Sequence, residues 1–250
     1  MRNKLIEHLR WKLFHLMNKK LIEQKNEHDK KIYSQNGEDG FLMYLFDKIG
    51  TTTKRFVEIG TEDGTECNTR NLVENFGWGG SMIEGNKEDA NKAITFYKDF
   101  PVIVFNNFIT TKNINHFLEP RLDLLSIDID STDWWIWNAV TFKPRVIMIE
   151  YNSSFGERCI TIPHTHTKRL EKHPDWLYHG GSLSAMVKLG KSKGYKLVYA
   201  NGTNAVFVRD DVEGIEEISA KGNPENWGRR RWGSPEKQFE LIKDRDFFEV

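Results

Sequence analysis

The sequence predicts an α/β domain with a mostly parallel sheet and helices on both faces. Five short apolar runs alternate with segments of helical periodicity, and this alternation is typical of parallel sheets. Two further apolar runs, at residues 195–199 and 205–208, are joined by residues 200–204, which have the composition of a hairpin turn. We therefore expect seven strands, of which the last two form an antiparallel hairpin.

Each element follows from a local pattern. Strands are predicted near residues 56–58, 81–84, 101–105, 122–127 and 145–149, ahead of the hairpin. Helices are predicted near residues 41–50, 72–76, 87–97, 134–140 and 182–193, with a short one near 115–118. The run at 122–127 is almost continuously apolar, as expected for a strand covered on both faces. Ser182 is the expected N-cap of the last helix, and Gly194 is its stop signal.

The two ends of the chain are predicted to lie outside the main domain. Residues 1–31 are expected to be a helix, because four apolar residues recur at helical spacing: Ile6, Leu9, Leu13 and Leu16. The other face of this helix is basic. We expect it to pack on the domain or on a partner subunit in a homo-oligomer, and a membrane-surface helix is the alternative. The main domain is expected at residues 32–218, and a polar tail at 219–250.

Composition excludes several classes of protein. The 250 residues suit one large α/β domain. Lys and Arg total 36, as do Asp and Glu, so the formal charge is zero and no global field attracts nucleic acid. Cys67 and Cys159 form no CxxC pair, which fits a reducing cytoplasm better than a disulfide framework. No apolar run approaches the length of a membrane span, so we expect a cytoplasmic protein.

The central motif occupies residues 55–86. A short apolar run ends in Glu58, and a turn with Gly60 and Gly64 follows; after a helical segment, a second run ends in Glu84. This is the order of a nucleotide-binding βαβ unit. The glycines let the backbone approach a ligand closely. An acid that ends the second strand can accept hydrogen bonds from both hydroxyls of a ribose. The motif therefore indicates a ligand of the adenosine type.

Nine short blocks between residues 33 and 209 give the chain a family resemblance. The blocks are SQNGED at residues 34–39, FVEIG at 56–60, NT at 68–69, WGG at 78–80, IE at 83–84, SIDID at 126–130, IEYN at 149–152, GGSL at 180–183 and NAVFV at 204–208. In this order the chain resembles the S-adenosylmethionine-dependent methyltransferases, in particular the FkbM-like group found in polysaccharide and natural-product clusters. The resemblance implies a Rossmann-like class I methyltransferase fold that closes with an antiparallel strand.

The resemblance also implies S-adenosylmethionine as the cofactor. Glu58 and Gly60 are expected at its methionine end, Glu84 on the ribose hydroxyls, and Asn106 or Asn107 near the adenine. The alternatives are a salt-bridged Glu58, a solvated Glu84 and plain turn asparagines. The other expected cofactor contacts are Gln35, Glu38, Asp63, Asn68, Thr69 and Asp128. Where the family usually has a middle glycine, this chain has Glu62, whose carboxylate would repel a diphosphate.

Acids and an amide follow the fourth and fifth predicted strands. These residues are Asp128, Asp130, Glu150 and Asn152. Adjacent parallel strands end at the same edge of the sheet, so we expect the four side chains to converge. Such an oxygen set suits Mg²⁺ or Mn²⁺. Without a metal, crowded carboxylates raise one another's pKa, and Asp128 or Asp130 becomes a candidate general base. A purely structural role is the third possibility.

Residues 153–181 break the alternation and contain two prolines and four histidines. A long irregular stretch inside a compact domain is usually functional, so we predict a substrate loop or lid. Three of its histidines are candidate general bases: His164, His166 and His179. A zinc site, or surface histidines without a chemical role, are the alternatives. Trp134, Trp135 and Trp137 are expected in the core, with a stacking platform for a sugar ring as the alternative.

The sequence thus predicts a methyltransferase that acts on a hydroxyl of a sugar or a nucleotide-linked sugar. By resemblance, its product enters capsule polysaccharide or a natural product. One alternative is an NAD(P)-dependent sugar oxidoreductase or epimerase, which the missing glycines and the terminal hairpin disfavour. The other is a non-catalytic binding protein on the same fold. The presence of four acids at the predicted strand ends argues against a non-catalytic protein; they are Glu58, Glu84, Asp128 and Glu150.

Overall fold

The computed structural model describes residues 30–165, 177–219 and 232–250. The predicted helix at residues 1–31 lies almost wholly outside these ranges, and the candidate base His166 lies outside them as well. The chain divides into two compact units, residues 1–108 and residues 109–250, which are described one at a time below.

The first unit contains three parallel strands. The central strand pairs in parallel with both of its neighbours, with Phe56 opposite Gly80 and Gly80 opposite Val102. The elements in chain order are α1 (Glu38–Ile49), β1 (Arg55–Ile59), α2 (Arg70–Phe76), β2 (Gly79–Glu84), α3 (Lys87–Tyr97) and β3 (Val102–Asn106). A Cβ on Gly80 would lie 2.1 Å from the Phe56 carbonyl oxygen, so glycine lets β1 and β2 approach at this point.

Helix α3 has the bounds that the sequence predicts, because its start carries a strong local signal. The Asn86 side chain caps it by accepting hydrogen bonds from the backbone N–H groups of Glu88 and Asp89. The two acids also lie in the first turn, where the helix dipole favours negative charge. The buried face is formed by Ala90, Ala93 and Tyr97.

The second unit contains four strands of the main sheet and a small separate sheet. Strands β4 (Leu124–Ile127) and β5 (Val146–Glu150) are parallel, and β8 (Asn204–Arg209) pairs antiparallel with both β5 and β7 (Tyr195–Ala200). The elements are β4 (Leu124–Ile127), α4 (Asp133–Ala139), β5 (Val146–Glu150), β6 (Ile160–Thr161), α5 (Leu183–Lys193), β7 (Tyr195–Ala200), β8 (Asn204–Arg209), α6 (Pro235–Glu240) and β9 (Phe248–Glu249), with 3₁₀ helices at Ile114–His116 and Ser153–Phe155. Ser182 caps α5 as predicted, because its side chain accepts a hydrogen bond from the Ala185 N–H group.

The strand order of the main sheet is β3-β2-β1-β4-β5-β8-β7. Its first five strands follow the doubly wound order of nucleotide-binding sheets. The sheet then closes with β8 inserted antiparallel between β5 and β7, where a dinucleotide-binding sheet would continue in parallel. The predicted fold class, a seven-stranded and mostly parallel sheet with an antiparallel terminal hairpin, is confirmed.

The small sheet pairs two segments that the sequence places in a loop and in a tail. Strand β6 pairs antiparallel with β9, with Thr161 opposite Phe248. The segments pack around a buried apolar cluster formed by Phe155, Ile160, Ile162, Leu177, Tyr178, Phe239 and Ile242. Two-residue strands are too short to show a periodicity, so the sequence does not predict this pairing. Among the residues that the structure describes, no helix is long and apolar enough to span a membrane.

Candidate active site

The glycine turn after β1 has a left-handed backbone at three positions. The φ angles are 79° at Gly60, 47° at Glu62 and 84° at Gly64. A Cβ on Gly64 would lie 2.7 Å from the Tyr97 ring, and the Tyr97 hydroxyl donates a hydrogen bond of 2.8 Å to the Gly64 carbonyl oxygen. Glycine is therefore required at Gly64 for space as well as for conformation, whereas Glu62 adopts a backbone conformation that is uncommon for a side-chain-bearing residue.

Glu84 joins the end of β2 to this turn. Its Oε2 atom accepts a hydrogen bond of 2.8 Å from the Glu62 N–H group, and its Oε1 atom accepts one of 2.6 Å from the Asn86 N–H group. The carboxylate is half-buried and held in place. Each carboxylate oxygen has a second lone pair, so Glu84 keeps acceptor capacity for two ribose hydroxyls.

The two asparagines predicted near the adenine lie at the end of β3 and contact the end of β2. The Asn106 side chain donates hydrogen bonds to the carbonyl oxygens of Glu84 and Gly85, at 2.9 and 3.1 Å. The Asn107 N–H group donates to the Glu84 carbonyl oxygen at 2.9 Å. Asp63 accepts hydrogen bonds from the hydroxyl and the N–H group of Thr65, and these bonds lower the pKa of Asp63.

Glu58 is fully buried and binds the start of α2. Its carboxylate accepts hydrogen bonds from the N–H groups of Asn68 and Thr69, at 2.8 and 3.1 Å, and from the Thr69 hydroxyl. Burial raises the pKa of Glu58, and these hydrogen bonds oppose the rise. Three predicted cofactor residues therefore lie together, because Glu58 binds the loop that contains Asn68 and Thr69.

The segment ahead of α1 is organised by the two acids that begin the helix. Asp39 accepts hydrogen bonds from the Ser34 hydroxyl at 2.7 Å and from the Tyr33 N–H group at 2.6 Å. Glu38 is almost completely buried, and its Oε2 atom accepts a hydrogen bond of 2.8 Å from the Asn36 N–H group. Gln35 is exposed beside them.

Three carboxylates converge in the second unit. Asp128, Asp133 and Glu150 each offer an oxygen atom, and these atoms lie within 4.8 Å of one another. Burial raises the pKa of Glu150 well above its ordinary value, and Asp128 and Asp133 raise it further. Burial also raises the pKa of Asp133. Glu150 and Asp133 therefore hold a proton more readily than ordinary carboxylates do.

This group shares Asp128 and Glu150 with the predicted metal set and contains Asp133 instead of Asp130. Asp133, which begins α4, stands where Asp130 was expected. The Asn152 amide donates to the carbonyl oxygens of Leu177 and His179, at 2.8 and 2.9 Å, so it organises the neighbouring loop. Asp133 is not among the site residues predicted from the sequence, and the signal that could have found it is an aspartate directly ahead of the aromatic-rich helical segment.

Carboxylates in this arrangement are ligands of the kind that Mg²⁺ and Mn²⁺ bind. Both Asp133 oxygens already accept backbone hydrogen bonds, however, from Ile129 at 2.8 Å and from Ser131 at 3.1 Å. Asp133 therefore has less acceptor capacity left for an ion than Asp128 or Glu150.

The two described candidate histidines lie in different surroundings. His179 is only 3% exposed, and its Nδ1 atom lies 3.3 Å from Oε2 of Glu150. His164 is exposed; its Nε2 atom lies 3.2 Å from the Thr111 hydroxyl, and its ring lies 5.5 Å from the Trp135 ring. A carboxylate beside Nδ1 orients an imidazole and stabilises its protonated form, so His179 has the environment of a general base.

Backbone hydrogen bonds tie both ends of the predicted loop to the strand ends of the second unit. The Gly180 N–H group donates to the Ser131 carbonyl oxygen at 2.6 Å, and the Asn152 N–H group donates to the Gly181 carbonyl oxygen at 2.8 Å. The Ile162 N–H group donates to the Gly180 carbonyl oxygen at 3.0 Å. His179 is consequently held next to the residues that follow β4 and β5.

The three tryptophans separate into core and surface. Trp137 is 1% exposed and packs on Phe207, with 4.8 Å between ring centroids. Trp134 is also buried, and its indole N–H group donates to the Ala185 carbonyl oxygen at 3.1 Å. Trp135 is half-buried, and its indole N–H group donates to the Ile162 carbonyl oxygen at 2.9 Å.

Comparison with known proteins finds similarity in structure alone. No family model matches the sequence, and no curated protein matches it. Among solved structures, the N-terminal domain of EvdMO1 with SAH bound is 14% identical, with 71% of this chain and 82% of that chain covered and a TM-score of 0.47. An S-adenosylmethionine-dependent methyltransferase from Clostridium acetobutylicum ATCC 824 is 11% identical, with coverages of 80% and 98% and a TM-score of 0.48.

A third similar structure is magnesium protoporphyrin IX methyltransferase from Synechocystis PCC 6803 with bound SAM, at 9% identity, coverages of 69% and 77% and a TM-score of 0.45. These likenesses are remote, so the assignment of the fold rests on the strand order and the antiparallel closing strand. The chain has the Rossmann-like fold of the class I methyltransferases.

Proposed function

We propose that this protein is an S-adenosylmethionine-dependent O-methyltransferase whose acceptor is a hydroxyl of a sugar or a nucleotide-linked sugar. The observation that carries the proposal is the position of Glu84. Its carboxylate accepts one hydrogen bond from a backbone N–H group of the glycine turn and one from the N-cap residue of α3. A carboxylate fixed at this point of a βαβ unit is suited to the two hydroxyls of a ribose.

The charge around the turn favours this cofactor over a dinucleotide. Glu62, Asp63 and Glu84 lie close together, and burial followed by the charges of Glu84 and Asp63 raises the pKa of Glu62. Negative charge of this density repels a diphosphate and attracts a sulfonium cation. S-adenosylmethionine has the sulfonium and lacks the phosphates.

The Glu150–His179 pair is the proposed proton acceptor. An aliphatic hydroxyl is a poor nucleophile at neutral pH, so its proton must be removed as the oxygen attacks. Bound S-adenosylmethionine would supply the methyl group, whose bond to sulfur would break as the acceptor oxygen attacks the carbon, with S-adenosylhomocysteine as the leaving group. The hydroxyl proton passes to His179, and Glu150 stabilises the resulting imidazolium. The protein otherwise contributes alignment of the two reactants.

The other parts of the proposal follow the sequence pattern and, for the pathway, the family resemblance. Residues 153–181 act as the substrate loop of a domain at residues 32–218. Residues 219–250 are the tail, and the helix predicted at residues 1–31 joins copies of the chain. The enzyme works in the cytoplasm, in the assembly of capsule polysaccharide or of a natural product.

The test is transfer of labelled methyl from S-adenosylmethionine to a panel of nucleotide-linked sugars, with the product identified by mass spectrometry. We expect one panel member to gain a single methyl group and to lose this gain in Glu84→Ala. If the protein fails to bind S-adenosylhomocysteine at millimolar concentration, it is a non-catalytic binding protein. If it retains a nicotinamide absorbance after purification, it is an oxidoreductase.

A further inference from the structure

Four side chains of the second unit form an amphipathic surface, with Trp135 at its centre and Phe248, His164 and Thr111 beside it. The Phe248 and His164 rings both contact the indole of Trp135, with centroid separations of 5.0 and 5.5 Å and tilts of 57°. Phe248 is 47% exposed, and His164 is exposed as well. The Thr111 hydroxyl lies 3.2 Å from the Nε2 atom of His164. We call these four residues the aromatic platform.

The central ring of the aromatic platform has a fixed orientation. The indole N–H group of Trp135 donates to the Ile162 carbonyl oxygen, and Trp135 is held in α4 by the backbone. The N–H group is thus satisfied inside the protein, and a ligand would meet the hydrocarbon part of the indole. Phe248 is held in turn by the pairing of β9 with β6, which sets it opposite Thr161.

The aromatic platform and the proposed base share one backbone support. Thr161 pairs with Phe248 on one side and bridges to Gly181 on the other. The neighbouring Ile162 accepts the Trp135 indole N–H group and donates its own N–H group to Gly180, the residue after His179. A ligand seated on the platform is therefore positioned by the same three-residue segment that positions the His179 loop.

We infer that the aromatic platform binds the pyranose ring of the acceptor. This inference rests on the proposed function for the class of acceptor. The apolar C–H face of a pyranose stacks on an indole and a phenyl ring, whose faces are electron-rich. Its hydroxyls take hydrogen bonds from Thr111 and His164, which both have donor and acceptor capacity. Neither polar group carries a fixed charge, which suits a neutral ring better than a phosphate.

The structure also separates the roles of the two described histidines. His179 is buried against a carboxylate and takes a proton, whereas His164 is exposed against an indole and binds a hydroxyl. Under this inference, substitution of His164 weakens acceptor binding, and substitution of His179 lowers the rate of the bound acceptor.

The test measures sugar binding without the cofactor, so its result does not depend on methyl transfer. The full-length protein is titrated with methyl β-D-glucopyranoside, methyl β-D-galactopyranoside and methyl α-D-mannopyranoside, and binding is followed by saturation-transfer NMR and tryptophan fluorescence. We expect saturation transfer to the C–H protons of one ring face for at least one glycoside. Uridine and the acyclic sorbitol serve as competing ligand classes.

Two surface variants keep the test independent of folding. Phe248→Ala and Thr111→Val should each weaken glycoside binding, the first by about tenfold. Leu241→Ala is the matched control, because Leu241 is 52% exposed in the same C-terminal segment and lies outside the platform. All three variants should bind S-adenosylhomocysteine as the wild type does, which separates this inference from the proposed function.

The inference is overturned if none of the three glycosides binds, or if Phe248→Ala and Thr111→Val bind them like Leu241→Ala. It is also overturned if uridine binds the platform in preference to every glycoside, because the surface would then recognise a nucleobase.

Discussion

Glu58 and Glu84 of the first unit have different polar neighbours from Glu150 of the second unit. In the first unit, Glu58 and Glu84 accept hydrogen bonds from backbone N–H groups that lie 2 to 22 residues away. In the second unit, Glu150 faces two other acids and a histidine. The first arrangement fixes acids as acceptors for a ligand with hydroxyl donors. The second keeps a carboxylate in surroundings that favour proton uptake, as a catalytic base requires.

The largest effect that tests this contrast is expected at His179. His179→Ala should lower turnover by about 10²–10⁴, because the acceptor proton loses its base, and should leave S-adenosylhomocysteine affinity unchanged. Turnover is measured with labelled cofactor, and affinity by calorimetry. His116→Ala is the matched control, since His116 is exposed and lies in a 3₁₀ helix of the same unit. Equal turnover in both variants would remove the Glu150–His179 pair from the chemistry.

The next effect is expected on cofactor affinity. Glu84→Ala should weaken S-adenosylhomocysteine binding by about 10- to 150-fold, which corresponds to about 1.5–3 kcal/mol for hydrogen bonds to a charged group. Isothermal calorimetry measures it, and Glu88→Ala is the control because Glu88 is an exposed acid in the first turn of α3. Unchanged affinity in a folded Glu84→Ala protein would mean that the hydrogen bonds of Glu84 to Glu62 and Asn86 stabilise the fold and do not serve cofactor binding.

Paired glutamine variants compare the two buried acids directly. Glu58→Gln should lower the free energy of unfolding by about 1–3 kcal/mol, because the new amide N–H group faces the donors of Thr69 and leaves a buried group unsatisfied. Glu150→Gln should instead remove a carboxylate that is costly to ionise.

The sign of the pH dependence follows from the raised pKa of Glu150. The stability that this group contributes is fully present below its pKa in the unfolded chain and is lost as the pH rises through its folded pKa. Relative to the wild type, Glu150→Gln should therefore become more stable as the pH rises from about 5 to 8. Urea unfolding at both pH values measures the free energy of unfolding. If this free energy changed with pH by the same amount in Glu58→Gln and in Glu150→Gln, the distinction between the units would be wrong.

The smallest effect is expected from chelation. EDTA should leave turnover unchanged if the Glu150–His179 pair works without a metal, because proton transfer then needs protein groups alone. The control is chelated enzyme with added Mn²⁺, which should turn over at the same rate. Loss of activity in EDTA, restored by Mn²⁺, would assign the carboxylates of Asp128, Asp133 and Glu150 to an ion instead.

Local patterns explain which parts of the structure the sequence predicts. The terminal hairpin and the cap at Ser182 depend on neighbouring residues, so turn composition and periodicity predict them. The alternation of apolar runs with helical segments likewise predicts a mostly parallel sheet. The convergence of Asp128 and Glu150 follows from the rule that parallel strands end at one edge.

Other features depend on contacts between residues that are remote in the chain, and the sequence carries no signal for them. The Cys159 thiol donates to the carbonyl oxygen of Val250, 91 residues later, and the Ser154 hydroxyl donates to Gln238 across 84 residues. These contacts bring Phe248 to Trp135, which composition and periodicity do not foresee. The preference for His179 over His164 as the proposed base likewise depends on burial and on one distance.

Under the proposed function, the position of Thr161 between Phe248 and Gly181 constrains how the protein can change its preference for an acceptor. A backbone change at residues 160–162 would move the stacking surface and the base loop together, so a gain in fit for a new acceptor would come with a loss of alignment. Side-chain changes at Phe248 or His164 leave that backbone untouched. Directed evolution toward a new acceptor should therefore accumulate substitutions at these two exposed positions and spare the short strand between them.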